Sequence, residues 1–242
     1  MIACRFVALA DAVPDDIVVV IDVLRAFTVQ PWLFHRGAAR IVTVTGQEQA
    51  IALRETHLPD ALLAGEEGGI QIEGFDLGNS PTQVAQAGVA GRTIIHRTSA
   101  GTQGLARTAG SDLVLAAAFV TAGATVDALL AAAPQRVTFV ITGASLGRDG
   151  DEDLAAAELI AARLRGGDPD PRRFTARVAT SDAGRNFVPG GADWARPEDL
   201  AHCIEVDRFD HALRAAPVEQ FDALEISRLH ATDGAHPKRP LM

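Results

Sequence analysis

The chain has 242 residues, of which 48% are hydrophobic and 22% are charged, and its formal net charge is −9. This composition is typical of a soluble globular protein, and the length is sufficient for a substantial core. The acidic balance excludes a general attraction for nucleic acid or an anionic membrane, so an anionic ligand requires locally placed arginines, helix N-termini or a metal ion.

The scarcity of some residue types excludes several classes of site. Lys238 is the only lysine and lies in a proline-rich tail without a preceding glycine, which excludes a phosphate-binding P-loop. Cys4 and Cys203 are too few for a disulfide framework or a zinc site. The two isolated thiols are typical of a reducing compartment, and the N-terminal apolar stretch is too short for a signal peptide. Together they predict a cytoplasmic protein.

Short apolar runs alternate with longer helical patterns along the chain. The runs predict strands at residues 17–21, 40–44, 61–64, 92–96, 112–116, 136–142 and, late in the chain, 218–227. The patterns between them predict helices near residues 25–36, 46–57, 81–88, 102–108, 121–133 and 152–165. Strands that alternate with helices predict an α/β fold with a largely parallel sheet covered on both faces.

The region from 167 to 215 has a different character, with DPDPRR, GRNFVPGGADW and several short helical patterns. We expect it to form a mostly helical cap or lobe on the same domain, so that residues 1–242 make one unit. Residues 231–242 predict a mobile tail.

Polar residues follow the predicted strands at the ends where open α/β sheets bind ligands. Carboxylates there are oxygen ligands suited to Mg²⁺, and arginines bind phosphate or sulfonate through two parallel hydrogen bonds. The TSAGT turn opens a helix, so its amides and hydroxyls can receive an anion. Together they predict metal-assisted chemistry on a phosphate ester. The candidates are Asp22, Arg25, Glu66, Asp76, Arg97, Thr98, Ser99, Gly101, Thr102, Arg148, Glu152 and Asp153.

The segment GFDLGNSP, residues 74–81, contains the strongest single candidate. Asp76 lies between the apolar Phe75 and Leu77, and a carboxylate in such a position requires a partner because an unpaired buried charge is costly. For the other candidates, a purely structural role stays open as an alternative. An Asp at a strand end is often a helix cap, and Glu152 and Asp153 lie in a first helical turn, where the helix dipole favours acids.

Two superficial matches are excluded. VITGASLGRDG is similar to the cofactor turn of short-chain dehydrogenases, but that motif occurs near the N-terminus and requires a tyrosine, which this chain lacks. IDVLRAFT is similar to the nucleophile strand of haloacid dehalogenase-type phosphatases, but Leu24 stands where their second Asp is needed. His96 lies at a predicted strand end, and we expect a structural role for it.

Four motifs in order, IDVLRAFT, AGEEGGIQIEGFDLGNSP, RTSAGT and GASLGRDGDED, resemble the 2-phosphosulfolactate phosphatases over about residues 17 to 160. The resemblance implies a three-layer α/β/α fold and a Mg²⁺-dependent enzyme that converts 2-phosphosulfolactate to sulfolactate and phosphate. The residues that match the family pattern are Asp22, Arg25, Glu66, Asp76, Asn79, Ser80, Thr98, Gly101, Thr102, Glu152 and Asp153.

Two positions depart from that pattern. Ala100 stands where the family turn usually has Asn, and Asp151 stands where Ser usually precedes the Glu-Asp pair. Both departures affect which substrate the site would accept. Arg97 or Arg148 would hold the sulfonate or carboxylate of that substrate. The alternatives are a phosphatase for a different small phosphorylated 2-hydroxycarboxylate and a non-catalytic anion-binding protein on the same fold. The general base, the number of metal ions and self-association stay open.

Overall fold

The computed structural model describes residues 2–145 and 147–230, and the predicted tail at 231–242 lies outside the described residues. Within them, one mixed sheet contains β1 (Ala3–Ala8), β2 (Ile17–Ile21), β3 (Arg40–Val44), β4 (Leu62–Glu67), β5 (Ile70–Gln71), β6 (Thr93–Arg97), β7 (Leu113–Ala117), β8 (Arg136–Ile141), β9 (Ala212–Pro217) and β10 (Leu224–Leu229). The helices are α1 (Ala26–His35), α2 (Gln47–Thr56), α3 (Pro81–Val84), α4 (Gly101–Thr108), α5 (Ala122–Ala132), α6 (Asp151–Leu164), α7 (Arg172–Thr175) and α8 (Pro197–Cys203).

The predicted α/β fold is confirmed, and the six strands predicted before residue 143 correspond to β2, β3, β4, β6, β7 and β8. Two predictions need correction. The first strand, β1, was not expected, although it pairs in parallel with β8 at the edge of the sheet. The late strand expected at 218–227 is instead an antiparallel hairpin of β9 and β10, with its turn inside that range.

The sheet consists of two blocks of mainly parallel strands joined by this hairpin, in the order β1-β8-β2-β7-β9-β10-β3-β6-β4-β5. The short edge strand β5 is the exception, since it pairs antiparallel with β4. The three ladders from β7 through β9 and β10 to β3 are antiparallel, so the parallel strands of the two blocks run in opposite directions. Strand twist reduces that opposition, since a twist of roughly 20–25° per step accumulates to roughly 100–125° over the five steps from β2 to β6.

Helices cover both faces of the sheet, and the second block of the sheet separates two hydrophobic cores. Ile94 of β6 belongs to the core that contains α1, whereas its neighbour Ile95 belongs to the core that contains Ala50 and Leu53 of α2. The alternation follows from the period of two along a strand. Nine of the ten residues of α1 are buried, so this helix is enclosed by the rest of the fold.

The region predicted as a helical cap has mixed structure. It holds α7, α8 and 3₁₀ turns at Val178–Thr180 and Gly184–Phe187, but β9 begins at Ala212, inside the predicted range. Both cysteines are free thiols. No helix within residues 2–145 and 147–230 is long and apolar enough to span a bilayer.

The packing of α4 on the sheet provides a test of the fold. A Cβ at Gly104 would lie 2.6 Å from Cγ1 of Val20 and 3.1 Å from Cγ2 of Thr142. Overpacking costs about 1–3 kcal/mol, whereas Gly→Ala in a helix gains only about 1 kcal/mol. We therefore expect Gly104→Ala to lower the free energy of unfolding by up to about 2 kcal/mol in urea titrations.

Gly88→Ala is the matched control, because a Cβ at Gly88 meets no heavy atom within 4 Å. We expect its free energy of unfolding to stay within about 0.5 kcal/mol of the parent value. A Gly104→Ala protein as stable as the Gly88→Ala protein would contradict the close approach of α4 to β2.

Candidate functional site

A cleft of about 760 Å³ opens where the loops after β2, β4 and β6 meet the segment from residue 183 to 194. The strands that end at this cleft belong to both blocks of the sheet, as the accumulated twist allows. The N-termini of α1 and α4 also reach it, so backbone N–H groups and helix dipoles favour an anion there. The lining includes seven predicted site residues, namely Asp22, Arg25, Glu66, Asn79, Arg97, Ser99 and Arg148.

Asp22 lies at the junction of β2 and α1. Its Oδ1 accepts a hydrogen bond from the N–H of Ala26 at 3.0 Å. Its Oδ2 lies so close to the TSAGT turn that a Cβ at Gly101 would be 2.6 Å away, so the turn requires glycine here. The pKa of Asp22 is raised to about 7, mainly by burial and also by the charges of Glu66 and Glu152, whereas the hydrogen bond from the Ala26 N–H opposes the rise.

Glu66, at the end of β4, joins two loops of the cleft wall. Its Oε1 accepts from the N–H of Ser99 at 2.6 Å, and its Oε2 accepts from the N–H of Gly69 at 2.6 Å and from the hydroxyl of Ser99 at 3.2 Å. Both oxygens therefore already have partners within the protein. Glu66 shapes the cleft wall and contributes negative charge to it.

Asp153 and Glu152 open α6 beside the ends of β2 and β8. Asp153 accepts from the N–H of Val23 at 2.7 Å and from the N–H of Gly143 at 2.7 Å, so it joins the two strand ends. Oε2 of Glu152, by contrast, is buried without a hydrogen-bond partner among the residues that the structure describes. Burial raises the pKa of both groups, and the Glu152 charge adds to the rise at Asp153.

Arg25 is held by a clamp that sequence reasoning missed. Its Nη1 donates to Oδ2 of Asp199 at 2.8 Å, and the side chains of the pair are 5% and 0% exposed. Its Nη2 donates to the carbonyl of Gly69 at 2.9 Å. The guanidinium lies over Phe187 and Trp194, at 5.1 and 5.4 Å from the ring centroids. Arg25 is thus a rigid, buried donor.

Asp199 also joins this clamp to the end of GFDLGNSP. Its Oδ1 accepts from the hydroxyl of Ser80 at 2.6 Å and from the N–H of Thr82 at 3.1 Å. Ser80 in turn caps α3 by accepting from the N–H of Gln83. Ser80 therefore supports the site from behind and does not line the cleft, in contrast to its prediction as a substrate-binding residue.

The structure does not bring Asp76 to the cleft, so its prediction as the leading metal ligand needs correction. Phe75 and Leu77 are buried as expected, but the Asp76 side chain is 40% exposed. Its Oδ2 accepts from the N–H of Leu63 at 2.8 Å and forms an ion pair with Arg54 at 3.4 Å. The partners of this carboxylate are thus the backbone at the start of β4 and Arg54, and not a metal ion at the cleft.

The TSAGT turn contributes backbone more than hydroxyl groups. Thr98 and Thr102 bond to each other, since each backbone N–H donates to the other's hydroxyl at 3.1 and 3.2 Å. Neither lines the cleft, whereas Ser99 and Ala100 do. The threonines hold the turn in shape, and Gly101 allows its close approach to Asp22.

Two further arginines lie on the cleft wall. Arg97 donates from Nη1 to the carbonyl of Glu66 at 2.7 Å and pairs with Glu67 at 3.3 Å. Arg148 is exposed and donates to the hydroxyl of Ser145 at 3.2 Å. Because Glu67, Glu66 and Asp22 oppose Arg25, Arg97 and Arg148, the lining has no excess of positive charge.

A preformed all-protein metal cage is not present in the described part of the chain, where no group of three or more His, Cys, Asp or Glu side chains is placed to hold an ion. Of the five predicted ligands, Glu66 and Asp153 have their oxygens engaged, and Asp76 lies outside the cleft. Oδ2 of Asp22 and Oε2 of Glu152 stay available and buried. Two such carboxylates fit Mg²⁺, which commonly takes one or two carboxylates with water and substrate phosphate.

The fold and cleft define an α/β protein that sets buried carboxylates beside arginines at helix N-termini. The sequence model of the 2-phosphosulpholactate phosphatase family matches residues 7–188. This chain belongs to that family.

Similar proteins carry the description "Probable 2-phosphosulfolactate phosphatase". That of Deinococcus radiodurans is 44% identical over 159 residues, 64% of this chain and 65% of the relative. That of Synechococcus sp. (strain RCC307) is 38% identical over 152 residues, 62% of each. That of Bacillus subtilis is 32% identical over 195 residues, 79% of this chain and 83% of the relative. The aligned part of this chain thus spans slightly less than two thirds of the first two relatives.

The buried ion pair of the clamp leads to a stability prediction. Asp199→Asn removes the charge that opposes Arg25 and leaves a guanidinium buried without a counter-ion. We expect the free energy of unfolding to fall by about 3 kcal/mol or more, as is usual when one partner of a buried pair is lost. The control is Asp170→Asn, which removes an exposed pair with Arg172 on the surface and should cost much less. Equal losses in the two variants would contradict the clamp.

The raised pKa of Asp22 predicts how stability depends on pH. Its folded pKa of about 7 lies above the ordinary value of 3.8, so between these values the folded protein keeps a proton that the unfolded chain releases. Its contribution to stability is therefore present at low pH and is lost as pH rises towards about 7.

Asp22→Asn removes this contribution. In metal-free buffer, we expect the variant to gain stability relative to the parent as pH rises from about 4 to about 7, because it has no buried charge to form. Urea titrations at several pH values measure the difference. Parallel stability curves for the two proteins would show that Asp22 titrates normally.

Proposed function

We propose that this protein is a Mg²⁺-dependent phosphatase that hydrolyses a small phosphorylated 2-hydroxy acid, with 2-phosphosulfolactate as the favoured substrate. The observation that carries the proposal is the meeting of Arg25, the free Oδ2 of Asp22 and the N-termini of α1 and α4 at one cleft. The unpartnered Oε2 of Glu152 is buried and does not line the cleft, but the Glu152 charge acts on Asp22. The family membership and the descriptions of the relatives support the same reaction.

The charge of the lining supports the need for a divalent cation. A phosphate monoester is a dianion, and the three arginines of the cleft wall are matched by three carboxylates. The free oxygens of Asp22 and Glu152 would hold the ion, which when bound neutralises charge on a phosphoryl oxygen. Burial raises the pKa of both carboxylates because it disfavours their charged forms, and a bound cation would stabilise those charged forms.

The chain's own residues would bind and orient the phosphoryl group. Arg25 has N–H groups beyond those given to Asp199 and Gly69, and its aromatic neighbours prevent it from swinging away. Ala100 and the N-terminus of α4, which begins at Gly101, lie at the cleft, where the helix terminus favours an anion. Fixed donors of this kind stabilise transition-state charge without reorganisation.

The far end of the substrate would lie against Arg97 and Arg148. Arg148 is exposed on the rim, so it can reach a sulfonate or a carboxylate that projects from the cleft. Asp151, which departs from the family pattern, hydrogen-bonds to Nε of Arg177 at 3.0 Å and is absent from the cleft lining. Its charge is thus neutralised away from the substrate. Ala100, the other departure, does line the cleft and removes a side-chain donor there.

A panel of three esters tests the substrate. In 2-phosphoglycerate a hydroxyl replaces the sulfonate of 2-phosphosulfolactate, and in 2-phospholactate a hydrogen replaces it. Phosphate release with and without Mg²⁺ should be fastest for 2-phosphosulfolactate. Faster turnover of either analogue would assign the protein to a different phosphorylated 2-hydroxycarboxylate, and binding of phosphate with no turnover would favour a non-catalytic anion-binding protein. A reducing cytoplasmic location is part of the proposal and is supported by the two free thiols.

A matched pair of variants, Asp22→Asn and Asp76→Asn, tests which of the two carboxylates binds the metal ion. We expect Asp22→Asn to lower kcat/KM by about a hundredfold or more, because it removes an anionic oxygen from the site of the cation. Asp76→Asn should keep nearly the parent activity, because its carboxylate is partly exposed and outside the cleft.

Thermal unfolding gives a second readout that does not depend on turnover. Mg²⁺ should raise the unfolding temperature of the parent and of Asp76→Asn, but not that of Asp22→Asn. If Mg²⁺ stabilises all three proteins equally, or none of them, Asp22 is not a ligand.

A further inference from the structure

Three buried polar side chains form a row that ends at the cleft. Nε2 of Gln30, in α1, lies 3.2 Å from Nδ1 of His96 in β6. Nε2 of His96 lies 3.2 Å from Oδ1 of Asn79. Gln30 and His96 are 0% exposed, whereas Asn79 is 4% exposed and lines the cleft.

The direction of the hydrogen bonds along this row is determined by its first member. The side-chain nitrogen of Gln30 is a donor only, so Nδ1 of His96 must accept and carry no proton. Burial lowers the pKa of His96 to about 4, so the ring is neutral near pH 7 and its single proton lies on Nε2. That N–H donates to Oδ1 of Asn79, and the NH₂ group of Asn79 is left on the other side.

The free NH₂ distinguishes Asn79 from the other amides of the cleft. Gln103 donates from Nε2 to the carbonyl of Thr45 at 2.9 Å, and Asn186 donates from Nδ2 to the carbonyl of Ala183 at 3.0 Å. No described residue accepts a hydrogen bond from the NH₂ of Asn79. Since Ala100 has no side-chain donor, Asn79 can supply an amide donor to the same cleft.

We propose that His96 is a positioning residue: its Nε2–H fixes the Asn79 amide so that the NH₂ group faces the cleft and donates to an anionic oxygen of the substrate. The inference rests on the proposed function for the identity of that anion. If the row ran in the opposite direction, Asn79 would present its carbonyl oxygen and repel the anion. A purely structural row would serve equally well in either direction.

The tautomer of His96 is directly measurable. Long-range ¹H–¹⁵N spectra of the parent, assigned by comparison with His96→Gln, show which ring nitrogen carries the proton. We expect protonation on Nε2 alone throughout about pH 5 to 8, as for a neutral buried imidazole. A proton on Nδ1 would reverse the row and overturn the proposal.

Phosphate binding tests the amide itself, with inorganic phosphate as the probe. Asn79→Asp replaces the NH₂ with an anionic oxygen at constant shape, and we expect the Kd for phosphate to rise by about ten- to a hundredfold, as for a lost hydrogen bond to a charged group. Asn186→Asp is the matched control, because it adds the same charge to the same cleft at an amide already engaged. Equal losses of affinity would overturn the assignment.

Gln30→Met tests the positioning role at a distance from the cleft. It removes the donor to Nδ1, so part of the His96 population is free to carry its proton on Nδ1. Phosphate affinity should fall in proportion to that fraction. A fall in affinity with the proton still on Nε2 would show that the row does not act through the tautomer.

The two proposals fail in different ways. A parent that has the expected tautomer and binds phosphate through Asn79, but hydrolyses no ester, would remove the phosphatase and leave the positioning role. If the parent hydrolyses esters and Asn79→Asp leaves its phosphate affinity unchanged, the positioning role is removed and the phosphatase remains.

Discussion

The cleft depends on buried carboxylates that hold loops together through backbone N–H groups. Asp153 joins the ends of β2 and β8, Glu66 joins the loop after β4 to the loop after β6, and Asp199 joins α8 to the start of α3. A carboxylate removed from water needs such donors to stay charged, and donors from two separate segments fix the distance between them. Once these acids are engaged, the oxygens of Asp22 and Glu152 are the ones left for a ligand.

The middle of the sheet explains why distant loops meet at all. The hairpin of β9 and β10 lies between the two parallel blocks, so residues from the end of the chain complete a sheet that begins at Ala3. It reverses the direction of the second block, and strand twist then turns that block back, so that both sets of carboxyl ends reach the cleft. With a flat sheet of the same order, Asp22 and Glu66 would lie at opposite edges.

Local pattern predicted β2, β3, β4, β6, β7 and β8 because each is a short apolar run between polar breaks, but it missed the two-residue strand β5. It also predicted that Asp22, Arg25 and Glu66 lie together, and they line one cleft, although the reversal of the second block makes this depend on the twist of the whole sheet. It could not separate Asp76 from them, because orientation in a loop depends on tertiary partners, here Leu63 N–H and Arg54. For the same reason it missed Asp199, whose partner Arg25 is 174 residues away, and the pairing of β9 with β7, since contacts between distant parts of the chain leave no periodic signal.

The position of the Arg25 clamp relative to the family match bears on what holds the proposed phosphate site together. The match ends at residue 188, but Trp194 and Asp199 lie beyond it and contact the same guanidinium. Arg25 itself, which would bind the phosphoryl group, lies inside the match. A buried guanidinium keeps its position only while its counter-ion and its packing neighbours are in place. The orientation of Arg25 therefore depends on a segment outside the matched residues, and a change at Trp194 or Asp199 would act on the phosphate site through Arg25.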